Sequence, residues 1–231
     1  AGGMTANLAA RLSETLPAGR IIDDPALVAA QATDSSRHPA PRAALVVRPR
    51  SAEEVAAVLR VANETGTPVV PQGARTGLVG GSAAIEGAIL LDLTSMDAIL
   101  AIDVAEGTAV VQPGVIVADL QRAAAARGLF YAPDPASAEW ATIGGTIGPN
   151  PGGIACIRDG GAREGPRPPS GRTRSSHRGA AAGPATPRER AVRGAQSPPH
   201  DREFHFDRVF RGQCETRGSL SVRLRAGAMC S

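Results

Sequence analysis

Lysine is missing: all 25 cationic side chains among the 231 residues are arginine. A Walker-type phosphate loop depends on a Gly-Lys-Ser or Gly-Lys-Thr step, so that scaffold is excluded. Cysteine is scarce too, with only Cys156, Cys214 and Cys230. An odd number, widely spaced, rules out a disulfide framework and any C-x-x-C metal knuckle. No apolar run approaches the roughly 18 residues that cross a bilayer as a helix, which excludes an integral membrane protein of that kind. The opening Ala1-Gly2-Gly3-Met4 leads into a polar helical stretch rather than a charged and then apolar leader, so no export signal and a cytoplasmic location are expected. Aromatics are 3% of residues and absent from the surroundings of the 9 arginines between Gly160 and Glu203, unlike the stacking surfaces of single-stranded nucleic-acid binders.

The chain is long enough for one ordinary domain or two small ones with a real core. Its net charge of +3 averages two unlike parts. Residues 1–159 hold 11 Arg against 16 Asp and Glu, a net of −5, whereas residues 160–231 hold 14 Arg against 6 acids, a net of +8. Over the 44 residues from Gly160 to Glu203, Val192 alone represents the Ile, Leu, Val, Met, Phe, Trp, Tyr and Cys set, beside 7 Pro, 7 Gly and 9 Arg. Ordering the backbone costs about 1–2 kcal/mol per residue, which so little apolar surface does not offset. A disordered basic tail is therefore expected. Its charge suits nonspecific phosphate contacts, but it has no periodic basic face, and nucleic acid is not the expected partner.

The acidic part reads as α+β. Leu8, Leu12 and Leu16 recur every four residues and mark an amphipathic opening helix. Ala44-Leu45-Val46-Val47 is a strand stopped by Arg48-Pro49. Ser51-Ala52-Glu53-Glu54 is a capping box for a helix whose core face is expected to carry Val55, Val58, Leu59 and Ala62, and Gly66 closes it. Thr67 to Val70, Ala88 to Leu93, Ile99 to Val104 and Thr108 to Gln112 read as strands, and Val117 to Arg127 as an Ala-rich helix ending at Gly128. Strand, helix and strand followed by a run of strands fits α+β better than a regular doubly wound sheet.

Two glycine-rich loops carry the chemistry. The first runs Pro71-Gln72-Gly73-Ala74-Arg75-Thr76-Gly77-Leu78-Val79-Gly80-Gly81-Ser82, directly after a strand. Glycines let successive amide N–H groups converge on an anion such as a pyrophosphate, with Thr76 and Ser82 as hydroxyl donors and Arg75 as countercharge. A Rossmann fingerprint would open a helix, whereas this loop is followed by another strand. A long turn between strands is the plain alternative. The second loop runs from Ala132-Pro133-Asp134-Pro135-Ala136-Ser137 through Ala141-Thr142-Ile143-Gly144-Gly145-Thr146-Ile147-Gly148-Pro149-Asn150-Pro151-Gly152-Gly153. Its small residues let backbone lie flat against a large planar group or a phosphate, or simply make a surface loop.

In this order the segments resemble the N-terminal FAD-binding module of the vanillyl-alcohol oxidase (p-cresol methylhydroxylase-type) flavoproteins. Within that group they are most similar to the branch of glycolate oxidase flavin subunits and D-lactate or other D-2-hydroxyacid dehydrogenases. The stretches that carry the resemblance are the capped helix from Ser51, the loop Pro71 to Gly81, Leu91-Asp92-Leu93, Val111-Gln112-Pro113-Gly114, Pro133-Asp134-Pro135 and Thr142-Ile143-Gly144-Gly145. The resemblance implies an N-terminal helical segment (1–40), an incomplete two-subdomain FAD-binding module (41–164) and a tail (165–231). It implies FAD between the subdomains, its pyrophosphate on the amides of Gly73, Ala74, Arg75, Thr76, Gly77 and Leu78, with Gly80, Gly81 and Ser82 completing the loop. Pro135, Thr142, Gly144, Gly145, Asn150 and Gly152 would line the cofactor on the other side. Some relatives carry a flavin-linking His where this chain has Leu78, so noncovalent FAD is expected.

The resemblance also marks a departure. Cys156 to Glu164 resembles a family stretch ending in Tyr-Gly-x-x-Arg-Glu, with Asp159 in the Tyr position. An apolar strand would follow, but the chain reads Gly165-Pro166-Arg167-Pro168-Pro169-Ser170-Gly171, which no central strand tolerates. With suitable third bases, the same codons read one base later spell Ala-Leu-Gly-Leu-Arg-Val-Val, close to the family's continuation, so a frameshift near Glu164 is expected. The functional expectation is the FAD-binding part of an oxidoreductase that oxidises a small 2-hydroxy acid by hydride transfer to flavin. The alternative is a non-catalytic truncated or frameshifted remnant of such a flavoprotein. In the family the catalytic residues come from a later half, so no catalytic residue is named. His38, His177, His200 and His205 lack metal-ligand spacing. Trp140 is expected to pack or to form a lid beside the second loop, and Phe204, Phe206, Val209 and Phe210 form a short apolar patch of no assigned role.

Overall fold

A computed structural model describes residues 2–149 and 219–226, all within one compact unit. The expectations placed on Asn150, Gly152, residues 156–203, His205 and the phenylalanine patch lie outside the described residues.

Sheet A has the strand order β1 (Ile21–Ile22), β2 (Leu45–Val47), β4 (Ile89–Asp92), β3 (Val69–Gln72). The β2–β4 and β3–β4 pairs are parallel and β1 pairs antiparallel with β2. Every residue of β2 and β4 is buried, the mark of parallel strands covered on both faces. Alternate side chains serve opposite layers. Leu45, Val47, Ile89 and Leu91 pack with Leu8, Leu12 and Leu16 and with Val58 and Val61. These belong to or follow α1 (Gly2–Ser13) and lie on α3 (Ala52–Thr65) respectively. Val46, Leu90 and Val70 face Val28 of α2 (Pro25–Gln31) and Ala32, Ala84 and Ala88. The first forty residues are thus built into the core of the sheet that follows them.

Helix α3 starts where Ser51 accepts from the Glu54 N–H at 3.3 Å, and Gly66 ends it at φ 63°. The Glu54 carboxylate accepts from the Arg50 N–H at 2.8 Å and from Arg20 Nε at 2.8 Å. The buried stripe of α3 is Ala57, Val58, Val61 and Ala62. Leu59, expected in the core, is only half-buried, because it lies to one side of the stripe formed by Ala57, Val58, Val61 and Ala62.

Sheet B has the order β5 (Ile99–Asp103), β6 (Thr108–Val111), β8 (Leu220–Arg223), all antiparallel. Helix α4 (Val117–Ala125) follows, then β7 (Leu129–Phe130), paired antiparallel with β9 (Arg225–Ala226). A disordered tail was expected over 165–231, and this does not hold for residues 219–226. Leu220 pairs with Val111 and Val222 with Ala109, and Leu220 and Leu224 are buried. This short segment has the alternating apolar residues that the 160–203 window lacks, so it can complete a sheet edge.

Candidate functional site

The C-terminal ends of the parallel strands β2, β3 and β4 open at one edge of sheet A, the edge where ligands of open α/β sheets bind. Both glycine-rich loops meet there. Gly73 leaves β3 so close to the second loop that a β-carbon on it would lie 2.2 Å from Thr142 Oγ1 and 3.4 Å from Gly145 Cα. A β-carbon added to Gly144 would likewise lie 2.7 Å from Pro113 Cβ and 2.9 Å from the Pro113 carbonyl oxygen. Glycine is required at both positions by close approach.

The first loop presents its donors unpaired. None of the eight successive backbone N–H groups from Ala74 to Gly81 donates a hydrogen bond among the described residues. Its carbonyls are held from behind instead. The Arg75 oxygen accepts from the Ser35 N–H at 3.1 Å and from Ser35 Oγ at 3.2 Å. The Ser82 oxygen accepts from Gln72 Nε2 at 2.7 Å. Arg75 sits at φ 56°, a left-handed conformation that is unfavourable for a side chain of its size. Such strain gathers at ligand-binding loops.

Ser82, expected as a hydroxyl donor to the ligand, turns towards the protein, its N–H and Oγ 3.5 and 3.4 Å from Asp34 Oδ2. Asp34 also accepts from the N–H and hydroxyl of Ser36. Burial would raise the Asp34 pKa, but these four donors outweigh it and hold the carboxyl below its usual 3.8. Beside it lies an open cleft of about 390 Å3 lined by Ala30, Thr33, Asp34, Ser35, Arg37, Ala74 and Arg75.

The second loop works differently. Thr142 is buried and caps α5 (Ile143–Ile147), accepting from the Gly145 N–H at 3.1 Å. The Gly144 N–H donates to Pro113 O at 2.8 Å. Gly144 and Gly145 thus contribute closeness rather than free amides. Pro135 is buried, and its carbonyl accepts from Ala138 at 2.8 Å. Leu78 and Val79 at the first loop's tip, and Trp140 before the second, are more than two-thirds exposed, so Trp140 does not pack in the core. Burial pushes the Tyr131 hydroxyl up to about 12, against an opposing hydrogen bond with Thr146.

Sequence reasoning passed over the stretch 31–36. Its Asp-Ser-Ser composition is a turn signal, and nothing local shows that it meets a loop forty residues later. Among the described residues no group of three or more His, Cys, Asp or Glu side chains could hold a metal ion.

The family described as FAD binding domain matches residues 43–165, more than half of the chain. The chain belongs to this family. Among curated relatives of this FAD-binding chain, glycolate oxidase subunit GlcD of Bacillus subtilis is 43% identical over 52% of the chain and 25% of its own length. D-lactate dehydrogenase of Anaerostipes hadrus is 42% identical over 53% and 26%. D-2-hydroxyglutarate dehydrogenase of Stutzerimonas stutzeri is 41% identical over 62% and 31%. The chain therefore spans about a quarter to a third of these relatives. Among solved structures, 4-ethylphenol oxidase from Gulosibacter chungangensis is 27% identical with a TM-score of 0.56, over 64% of this chain and 29% of that one. p-Cresol methylhydroxylase, at 20% identity and a TM-score of 0.56 over 64% and 30%, shares the fold. The α+β architecture is that of the p-cresol methylhydroxylase-type FAD-binding module, in partial form. No helix among the described residues is long and apolar enough to cross a membrane.

Proposed function

We propose that this chain supplies the FAD-holding part of an oxidoreductase acting on a small 2-hydroxy acid of the glycolate or D-lactate type, with FAD bound noncovalently. The observation that carries this reading is the row of eight N–H groups from Ala74 to Gly81, at a strand end, that have no partner among the described residues. A pyrophosphate is the anion such a row accommodates, since each charged oxygen takes several donors. Gly73, Ala74, Arg75, Thr76, Gly77 and Leu78 would hold it, with Gly80 and Gly81 giving the turn its reach. Pro135, Thr142, Gly144 and Gly145, together with Asn150 and Gly152, would form the opposite wall. Leu78 offers no side chain for a covalent flavin bond. When bound, FAD supplies a two-electron acceptor for the hydride on the α-carbon of the hydroxy acid, and the protein contributes position and exclusion of water. The names of the relatives support the substrate class, and a cytoplasmic location goes with the same reading.

Absorbance tests it. The purified chain, as isolated or after incubation with FAD, should carry near-stoichiometric flavin that acid or heat denaturation releases into the supernatant. A folded chain that stays colourless after reconstitution refutes the reading.

One observation favours the second reading, a non-catalytic remnant. The family match stops at residue 165, where the proline-rich heptapeptide Gly165 to Gly171 begins. Sequencing the coding DNA decides this: a shifted frame that continues the family pattern establishes the remnant, and one that does not removes it.

A further inference from the structure

We propose that Asp34, Ser35 and Gln72 form a clamp that turns the first loop's amides towards the cofactor, making them positioning residues for FAD. The proposal rests on the reading of that loop as the FAD site.

Gln72 is 1% exposed, at the last position of β3. Its Nε2 donates both to the Gln31 carbonyl at the end of α2, 2.9 Å away, and to the Ser82 carbonyl at 2.7 Å. One side chain at the loop's entrance thus ties the loop's exit to a helix end. Asp34 takes the other side of Ser82, at its N–H and hydroxyl. The Ala84 N–H donates to Ala32 O at 2.7 Å just beyond.

Ser35 acts in the middle of the loop. The peptide bonds are trans, so the Arg75 C=O and the Thr76 N–H of one peptide plane point in opposite directions. Two donors from Ser35 on the Arg75 oxygen therefore direct the Thr76 N–H away from the 31–36 segment. The same two bonds offset the cost of holding Arg75 at positive φ. The clamp takes up the Arg75 and Ser82 carbonyls and the Ser82 donors. It leaves the N–H groups from Ala74 to Gly81 without a partner among the described residues, which is the pattern an anion needs. Asp34 and Ser35 lie before residue 43, outside the range matched by the FAD-binding family, so two of the loop's three holding side chains come from the preceding segment.

The test uses the full chain with Gln72→Met, which keeps the volume and removes both donors, and Asp34→Asn, which acts at the other end of the clamp. Trypsin cleavage after Arg75 is followed in the FAD-free protein, with cleavage after Arg42 as the reference, and FAD affinity is titrated by flavin fluorescence. Both variants should melt cooperatively, be cut after Arg75 about tenfold faster and bind FAD about tenfold more weakly, the factor that goes with a loss of about 1.4 kcal/mol of hydrogen bonding. Unchanged cleavage after Arg75 in the folded variants overturns the clamp. Faster cleavage with unchanged FAD affinity overturns its positioning role. If the unaltered chain takes no FAD, the functional reading fails, while the Arg75 cleavage contrast still decides whether the clamp exists.

Discussion

At Gly73 the chain has no room for a methyl group. Gly73→Ala would drive a β-carbon into Thr142 Oγ1, 2.2 Å away, at the seam between the two loops. Overpacking of this kind costs roughly 1–3 kcal/mol. Urea unfolding should show that loss, and adding Thr142→Ala should recover part of it, giving a favourable coupling in a double-mutant cycle. Additive effects would mean that the loops do not touch. Tyr131 provides a second test, because it is the single tyrosine of the chain. Burial holds its pKa at about 12, so the folded state keeps the proton more tightly than the unfolded chain does. Its contribution to stability is complete below pH 10 and is lost as pH rises from about 10 towards 12. Ultraviolet difference spectra should show no tyrosinate at pH 10.5 in the folded protein.

Among the elements, those that carry their own signal were legible. Ser51 and Gly66 bracket α3 because a side-chain acceptor and a left-handed glycine are local requirements. Ser51→Ala should cost about 1 kcal/mol in chemical denaturation, and a cost near zero would show that the cap is dispensable. Strands β2 and β4 were readable as unbroken apolar runs. The two-residue strands β1 and β7 were not, since two residues establish no period and only their partners define them. Helix α2 was missed because seven residues make less than two full amphipathic repeats. Helix α5 reads as loop in the sequence, since Ile143-Gly144-Gly145-Thr146-Ile147 contains glycine, the poorest helix former after proline, twice and is helical through the Thr142 cap. The glycines of the candidate site stand out in the sequence, and close approach requires two of them, Gly73 and Gly144. The groups that aim the first loop, Asp34, Ser35 and the amide of Gln72, did not, because their role exists only across some forty residues of chain.

For the whole molecule, the sheet edge that carries the candidate site depends on segments remote in sequence. Leu8, Leu12, Leu16 and Val28 are buried against sheet A, and each such side chain contributes roughly 1.5–3 kcal/mol. Removing residues 1–42 keeps the whole family-matched range yet should abolish cooperative thermal unfolding followed by circular dichroism. Acid should act through Asp34 and Glu54. Burial would raise both pKa values, but the Ser36 and Ser82 bonds on Asp34 and the Arg20 and Arg50 contacts on Glu54 bring them below 3.8 and 4.5. Their stabilisation is present above those values and is lost as pH falls through the lower folded-state pKa values. The acid limb of the stability profile should therefore flatten in the Asp34→Asn, Glu54→Gln double variant. The central claim, that the amides of residues 73–78 hold the cofactor's pyrophosphate, is tested most directly by amide hydrogen exchange across residues 73–82 with and without saturating FAD. The amides should exchange at nearly unprotected rates alone and become strongly protected with FAD, while β5 and β6 stay unchanged. Fast exchange that persists in this loop with FAD bound would contradict it.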